Sequence, residues 1–184
     1  MSNSLTLERR IMRLEARAEI AEIIGAYCVS CDDRDVDRLR SLFTEDAEVL
    51  SKDGVMKSSG LDAIMTMYDG RFRALGPTFH WTHDHVVKFD DSDDDTATGF
   101  VTGHAECFRN GQTLVAGLRY DDIYRRIGGA WKFKRRMLSF LYYVPVQEYA
   151  DALGDKLRQR AYGDRRPADF PESLPSWVAG RYAA

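Results

Sequence analysis

Two dipeptides constrain this chain more than any other feature. Asn110-Gly111 and Gly128-Gly129 interrupt runs rich in aromatic and β-branched residues, 96–109, 112–126 and 130–144. Dipeptides of this kind supply the positive φ angles that tight hairpin turns require. The three runs therefore predict an antiparallel meander. Residues 79–89 predict a fourth strand ahead of them. The connection between, Asp90-Asp91-Ser92-Asp93-Asp94-Asp95, reads as a solvated turn. It lacks the glycine and terminal glutamate of a calcium loop. A shorter hairpin is expected at 47–50 and 55–58, around Asp53-Gly54.

Helical periodicity dominates the first part of the chain. Leu7, Ile11, Leu14, Ala18, Ala21, Ile24 and Cys28 recur at spacings of three and four and predict a long helix over 5–31. Residues 36–43 predict a short helix with Asp35 as its N-cap. Residues 60–75, with Leu61, Ile64, Met65, Met67 and Tyr68, predict another, and 146–161 a last one. Helices followed by a meander make an α+β domain, in which a curved sheet folded against the helices encloses a pocket. The domain is expected to span 1–161. Residues 162–184, which hold most of the prolines, should form a C-terminal extension.

Composition narrows the function. A chain of 184 residues with 44% hydrophobic residues buries a sizeable core. Its net charge of -3 provides no field for collecting nucleic acid or acidic lipid. No apolar run approaches the ~18 residues of a membrane span. Residues 1–19 carry arginine and glutamate throughout, which argues against a secretory leader. Three cysteines fit a reducing cytoplasm better than a disulfide framework. There is no Gly-rich nucleotide loop, nucleophile elbow or HExxH zinc motif.

Four groups of residues could carry chemistry. Cys28 and Cys31 form a C-x-x-C, but with no second pair they read as core residues one helical turn apart. Strand alternation puts His83 and His85 on one sheet face and His80 on the other. With His104 or Glu106 on the next strand, His83 and His85 could bind a metal; a polar outer face is the plainer reading, and no metal is expected. Arg125, Arg126, Lys132, Lys134, Arg135 and Arg136 make a basic hairpin, read as a solvated face. His80 lies in an apolar segment with Pro77, Phe79 and Trp81. It becomes a base only with a carboxylate to orient it. Asp32 and Asp33, where the long helix ends and its dipole disfavours acids, are equally placed by spacing.

These residues carry a resemblance. Ala18, Ile20, Ile24 and Tyr27, then Cys31 to Phe43, then Glu45-Asp46-Ala47 resemble the opening of the SnoaL-like branch of the NTF2-like superfamily. Tyr124 to Phe133 resembles its closing hairpin. The chain is most similar to the group of scytalone dehydratases, hexachlorocyclohexane dehydrochlorinases and bile-acid 7α-dehydratases, and Asp32-x-x-Asp35-x-Asp37-Arg38-Leu39-Arg40 is nearly the scytalone dehydratase string. The resemblance implies a cone, a curved mixed sheet closed by helices. It selects Asp32 over Asp33 as partner of His80, and adds Tyr27 as a catalytic tyrosine. It implies substrate contacts at Arg136, Tyr120 and Phe140. Alternation from Trp131 puts Arg136 on the opposite face unless a bulge intervenes.

The implied activity is that of a cofactor-independent lyase on a small, apolar, cyclic or aromatic molecule, of dehydratase, dehydrohalogenase or retro-aldol type. An isomerase or a non-catalytic binding scaffold are the alternatives. A homo-oligomer, dimer or trimer, is expected, associating through an outer face that carries Trp81 and the Tyr124 side of the hairpin.

Overall fold

The computed structural model describes residues 5–178; residues 1–4 of the expected 1–161 domain and 179–184 of the expected C-terminal extension lie outside the described residues. Helix α1 runs Leu7–Asp33, α2 Val36–Ser41 and α3 Leu61–Ala74. The strands are β1 Phe43–Ser51, β2 Lys57–Ser59, β3 Thr78–Phe89, β4 Thr96–Arg109, β5 Gln112–Ile127 and β6 Ala130–Pro145. They form one six-stranded mixed sheet in the order β2-β1-β6-β5-β4-β3. The meander β3 to β6 is antiparallel, β1–β2 is an antiparallel hairpin, and β1 joins β6 in parallel. The α+β class and the open sheet under N-terminal helices agree with the sequence reading.

The hairpins close as their turn residues require. Asn110, Gly111, Gly128 and Gly129 all have positive φ. Asp35 caps α2, its side chain accepting from the Arg38 N–H at 3.0 Å.

The buried stripe of α1 differs from the expected one. Ala16, Ile20, Ile24, Tyr27, Cys28 and Cys31 face the core, whereas Leu7, Ile11 and Leu14 are exposed. The first turns of the helix are held by charge instead. Arg9 Nε donates to Asp94 at 2.8 Å, and Arg13 reaches Asp91 and Asp94 at 3.0 and 3.1 Å. The acidic turn 90–95 is therefore a docking point rather than a free solvated loop. Arg126 binds Asp95 at 2.6 Å and Arg125 binds Asp93, so the basic hairpin is partly neutralised by the same turn.

Two irregularities in the sheet reverse the expected alternation. In β3, Thr82 pairs with Gly103 but His85 with Val101, so one extra residue bulges out. His83 consequently faces outward, its Nε2 2.8 Å from His104 Nδ1, while His85 turns inward against the Tyr124 ring. The two histidines are on opposite faces, and no described cluster of His, Cys, Asp and Glu has the makings of a metal site. Between β5 and β6, Ile123 pairs with Arg135 but Tyr124 with Phe133. This bulge turns Arg136 inward. Tyr124 and Trp131 are buried as well, at 0% and 3% exposure, which corrects the expectation of an outward-facing Tyr124. Gly99 makes room: a Cβ there would lie 2.4 Å from the Tyr124 ring.

The expected helix over 146–161 is replaced by a 3-10 helix, Val146–Gly154, and an extended segment. Gln159 is drawn out of helical geometry because its backbone bridges Tyr143 and Arg166. Arg158, 2% exposed, then anchors the tail through Glu172 at 2.8 Å and the Leu141 carbonyl at 2.7 Å. Asp169 accepts from the Phe140 N–H at 2.7 Å, which ties the tail to β6.

Beneath α1 lies an ion pair with both side chains at 0% exposure. Arg136 Nε and Nη2 donate to the two Asp122 oxygens at 3.0 and 2.8 Å, and Tyr124 donates to Asp122 at 2.9 Å. The guanidinium carbon sits 4.1 Å from the ring centres of Tyr27, Tyr120 and Phe133. Removing one partner strands a charge without water. Arg136→Ala and Asp122→Ala should each cost about 3–5 kcal/mol in urea unfolding. The double variant Arg136→Met/Asp122→Leu should cost clearly less than their sum.

Candidate functional site

A cavity opens between α1, α3 and the inner face of the sheet. Tyr27 and Cys31 of α1, Tyr68, Arg71 and Phe72 of α3, and His80 of β3 form its upper wall. Ala105, Ala116, Leu118, Tyr120, Leu138 and Phe140 form the sheet side. Its enclosed space is about 60 Å³. An engineered cavity that admits benzene has ~150 Å³. A ring therefore enters only if flexible lining side chains such as Met56 and Leu75 swing aside.

The end of α1 delivers Asp32. Arg34 takes the left-handed conformation at φ 58°, its chain N–H bound to the Ser30 carbonyl, and this stops the helix one residue after Asp33. A carboxylate at a helix C-terminus is opposed by the dipole. Three contacts offset that: the Thr78 hydroxyl donates to Asp32 Oδ1 at 2.8 Å, the His80 backbone N–H to Oδ2 at 2.9 Å, and His80 Nδ1 lies 2.6 Å from Oδ1. Both side chains are largely buried, at 13% and 22% exposure.

Burial raises the Asp32 pKa, but the hydrogen bonds from His80 and Thr78 and the attraction of the His80 ring outweigh it, leaving the carboxyl below its ordinary value. Asp32 is thus ionised at neutral pH and can only accept. The His80 Nδ1 is therefore the donor in this contact, and Nε2 is the second ring nitrogen. Among the described residues no hydrogen bond occupies it.

Tyr27 is 3% exposed, its hydroxyl 2.8 Å from that of Tyr68. Burial pushes both tyrosine pKa values upward, so both remain neutral donors. The cysteines are buried and free. Burial raises Cys28 to about 11 and Cys31 to about 12, which leaves the C-x-x-C unreactive. Cys107 Sγ lies 2.8 Å from the Tyr143 hydroxyl.

His80, Tyr27, Tyr120 and Phe140 thus line one space, and Asp32 is held against His80 without lining it. Arg136, expected to touch substrate, lies behind Tyr27 and Tyr120 and does not line the cavity. The sequence reading missed Arg71 and Asp122. Arg71 was detectable: it follows Tyr68 by three on the stripe of Leu61, Ile64 and Tyr68, where an arginine is out of place. Asp122 was not, because its inward orientation depends on the sheet's register.

With this geometry in view, the comparisons with known proteins are informative. A family model described as the SnoaL-like domain matches residues 12–137. The chain belongs to this family. A curated relative, gamma-hexachlorocyclohexane dehydrochlorinase of Sphingobium indicum, is 25% identical over 138 residues, covering 73% of this chain and 86% of the relative. A hexachlorocyclohexane dehydrochlorinase structure from Novosphingobium barchaimii superimposes with a TM-score of 0.68 at 21% identity, over 74% of this chain and 94% of that one. A Novosphingobium aromaticivorans protein provisionally called a scytalone dehydratase gives 0.67 at 22% identity, over 73% and 90%. The fold is that of the NTF2-like superfamily. No helix among the described residues is long and apolar enough to cross a membrane.

The lowered Asp32 pKa has a signed consequence. A carboxylate whose folded pKa lies below its unfolded value adds stability above that unfolded value and loses it as pH falls through the folded one. The stability of the wild type relative to Asp32→Asn, measured in urea, should be constant above about pH 5 and should shrink below about pH 4.

Proposed function

We propose that this protein is a cofactor-independent lyase in which His80 removes a proton from carbon. Nε2 takes the proton, the C–H electrons form a carbon–carbon double bond, and a hydroxide or halide departs from the neighbouring carbon with its electron pair. Asp32 holds the imidazole in the reactive tautomer and balances the imidazolium that forms. Tyr27, kept neutral by burial, donates a hydrogen bond to the leaving group or an activating oxygen. The observation that carries this reading is the Asp32–His80 contact of 2.6 Å, with His80 on the wall of a cavity rich in aromatic and aliphatic side chains. The family, and relatives named for dehydrochlorination and dehydration, support it.

The substrate side of the reading is a small, largely apolar cyclic or aromatic molecule, handled in the cytoplasm without metal or cofactor. Phe79, Trp81, Val86 and Phe108 expose apolar surface on the outer face of the sheet and support association into a dimer or trimer, to be measured by light scattering.

Turnover is best sought with γ-hexachlorocyclohexane, followed by chloride release, and with cyclic β-hydroxy ketones, followed by enone absorbance. His80→Ala should abolish turnover and Asp32→Asn should reduce it by orders of magnitude. Tyr27→Phe should cost about 3 kcal/mol of transition-state stabilisation, roughly a hundredfold in rate. A folded His80→Ala variant that turns over at the wild-type rate would refute the mechanism.

A further inference from the structure

Two buried arginines and one exposed arginine around the inner face are matched. Arg136 has Asp122, Arg158 has Glu172, and Arg34 donates to the Leu75 and Gly76 carbonyls at 2.6 and 3.1 Å. Arg71 is the exception. It lines the same cavity as His80, yet among the described residues it forms no ion pair. Its one hydrogen bond runs from Nη1 to the Met56 sulfur at 3.6 Å, a weak acceptor. The tyrosines around it, Tyr143, Tyr68 and Tyr27, are neutral hydroxyls that burial keeps protonated. Neither nearby carboxylate pairs with it: Asp32 is held by His80 and Thr78, and Glu106, which borders the cavity, is exposed on β4.

Arg71 is half-buried, and a guanidinium that borders an enclosed space without an anion is a poorly compensated charge in the empty protein. That cost is recovered if a ligand supplies the anion, and the planar fork of an arginine matches a carboxylate with two parallel hydrogen bonds. We propose that Arg71 is the receptor for a carboxylate on the substrate, so that the molecule bound here is a small organic acid with an apolar body. This rests on the lyase reading only for what happens at His80. It alters the substrate class expected from the sequence, since one end of the molecule is charged. The carboxylate anchors at α3, and the apolar part lies across the sheet side toward Nε2. Displacing the Met56 sulfur costs little, so the fork is free to turn to its ligand.

The test compares butyrate with its neutral counterpart butyramide by calorimetric titration of the full chain. Wild type should bind butyrate saturably in the millimolar range or tighter, and at least about tenfold more tightly than butyramide. Arg71→Met, close in volume, should lose that preference while binding butyramide as before. Arg71→Lys should keep part of it, which guards against a variant that merely misfolds, as does an unchanged circular dichroism spectrum. His80→Ala should bind butyrate within about twofold of wild type. If wild type shows no preference for the acid, or Arg71→Met retains it, the proposal is overturned. Loss of butyrate binding in His80→Ala overturns it as well, by making the histidine the anion site. Undiminished turnover in His80→Ala would instead remove the lyase reading and leave the carboxylate site standing.

Discussion

The pairing of Arg136 with Asp122 is the interaction around which the interior is arranged. Two full charges without water are tolerable only when each occupies the other, and here both Asp122 oxygens are taken by the guanidinium while Tyr124 adds a donor. The faces of Tyr27, Tyr120 and Phe133 enclose what remains. One guanidinium nitrogen, Nη1, is buried with no acceptor among the described residues. The seat of α1 follows, because Tyr27 must lie on the guanidinium. Asp32 comes at the end of the same helix, so the placement of Tyr27 also sets how far the carboxylate reaches toward β3. The polar pair in the cavity is aligned by a second polar pair that never touches it.

The extra residues in β3 and β6 do related work. Each sorts side chains between two faces that must stay chemically distinct. Without the one in β3, His85 would join His83 on the outer face, and the inner wall beside Tyr124 would change. Without the one at Lys134, Arg136 would point to solvent and Asp122 would be buried alone. A bulge in a long strand thus decides which of several charged residues belongs to the interior.

This explains what was legible in the sequence. Glycine and asparagine turns announce themselves through backbone sterics, so the hairpins, the strand count and the helix-then-sheet order could be read directly. Asp35 could be read as a cap for the same local reason. Asp32 and Asp33 could not be separated by spacing, and the family pattern chose between them. Facing directions beyond a bulge could not be read, because a strand of alternating residues looks the same whether or not one residue is looped out. That hid the inward turn of His85, Tyr124 and Arg136. The stripe on α1 misled differently: Leu7, Ile11 and Leu14 keep the period but lie past the edge of the core, where Arg9 and Arg13 do the holding. Residues 146–161 have a helical composition, but Gln159 and Arg158 find stronger partners outside the helix.

The parallel contact between β1 and β6 sets the order in which this molecule assembles. β1 has only the short β2 to pair with until nearly the whole meander has been made, and closing so long a loop to β6 carries an entropic cost before that contact rewards it. Asp32 and His80 are only 48 residues apart and both precede β4. A nascent chain emerging from the ribosome therefore holds Asp32 and His80 well before it holds β6, the strand that carries Arg136 under α1 and Leu138 and Phe140 into the cavity. The hydrogen-bonded pair is synthesised early, and its enclosure is among the last things the chain acquires.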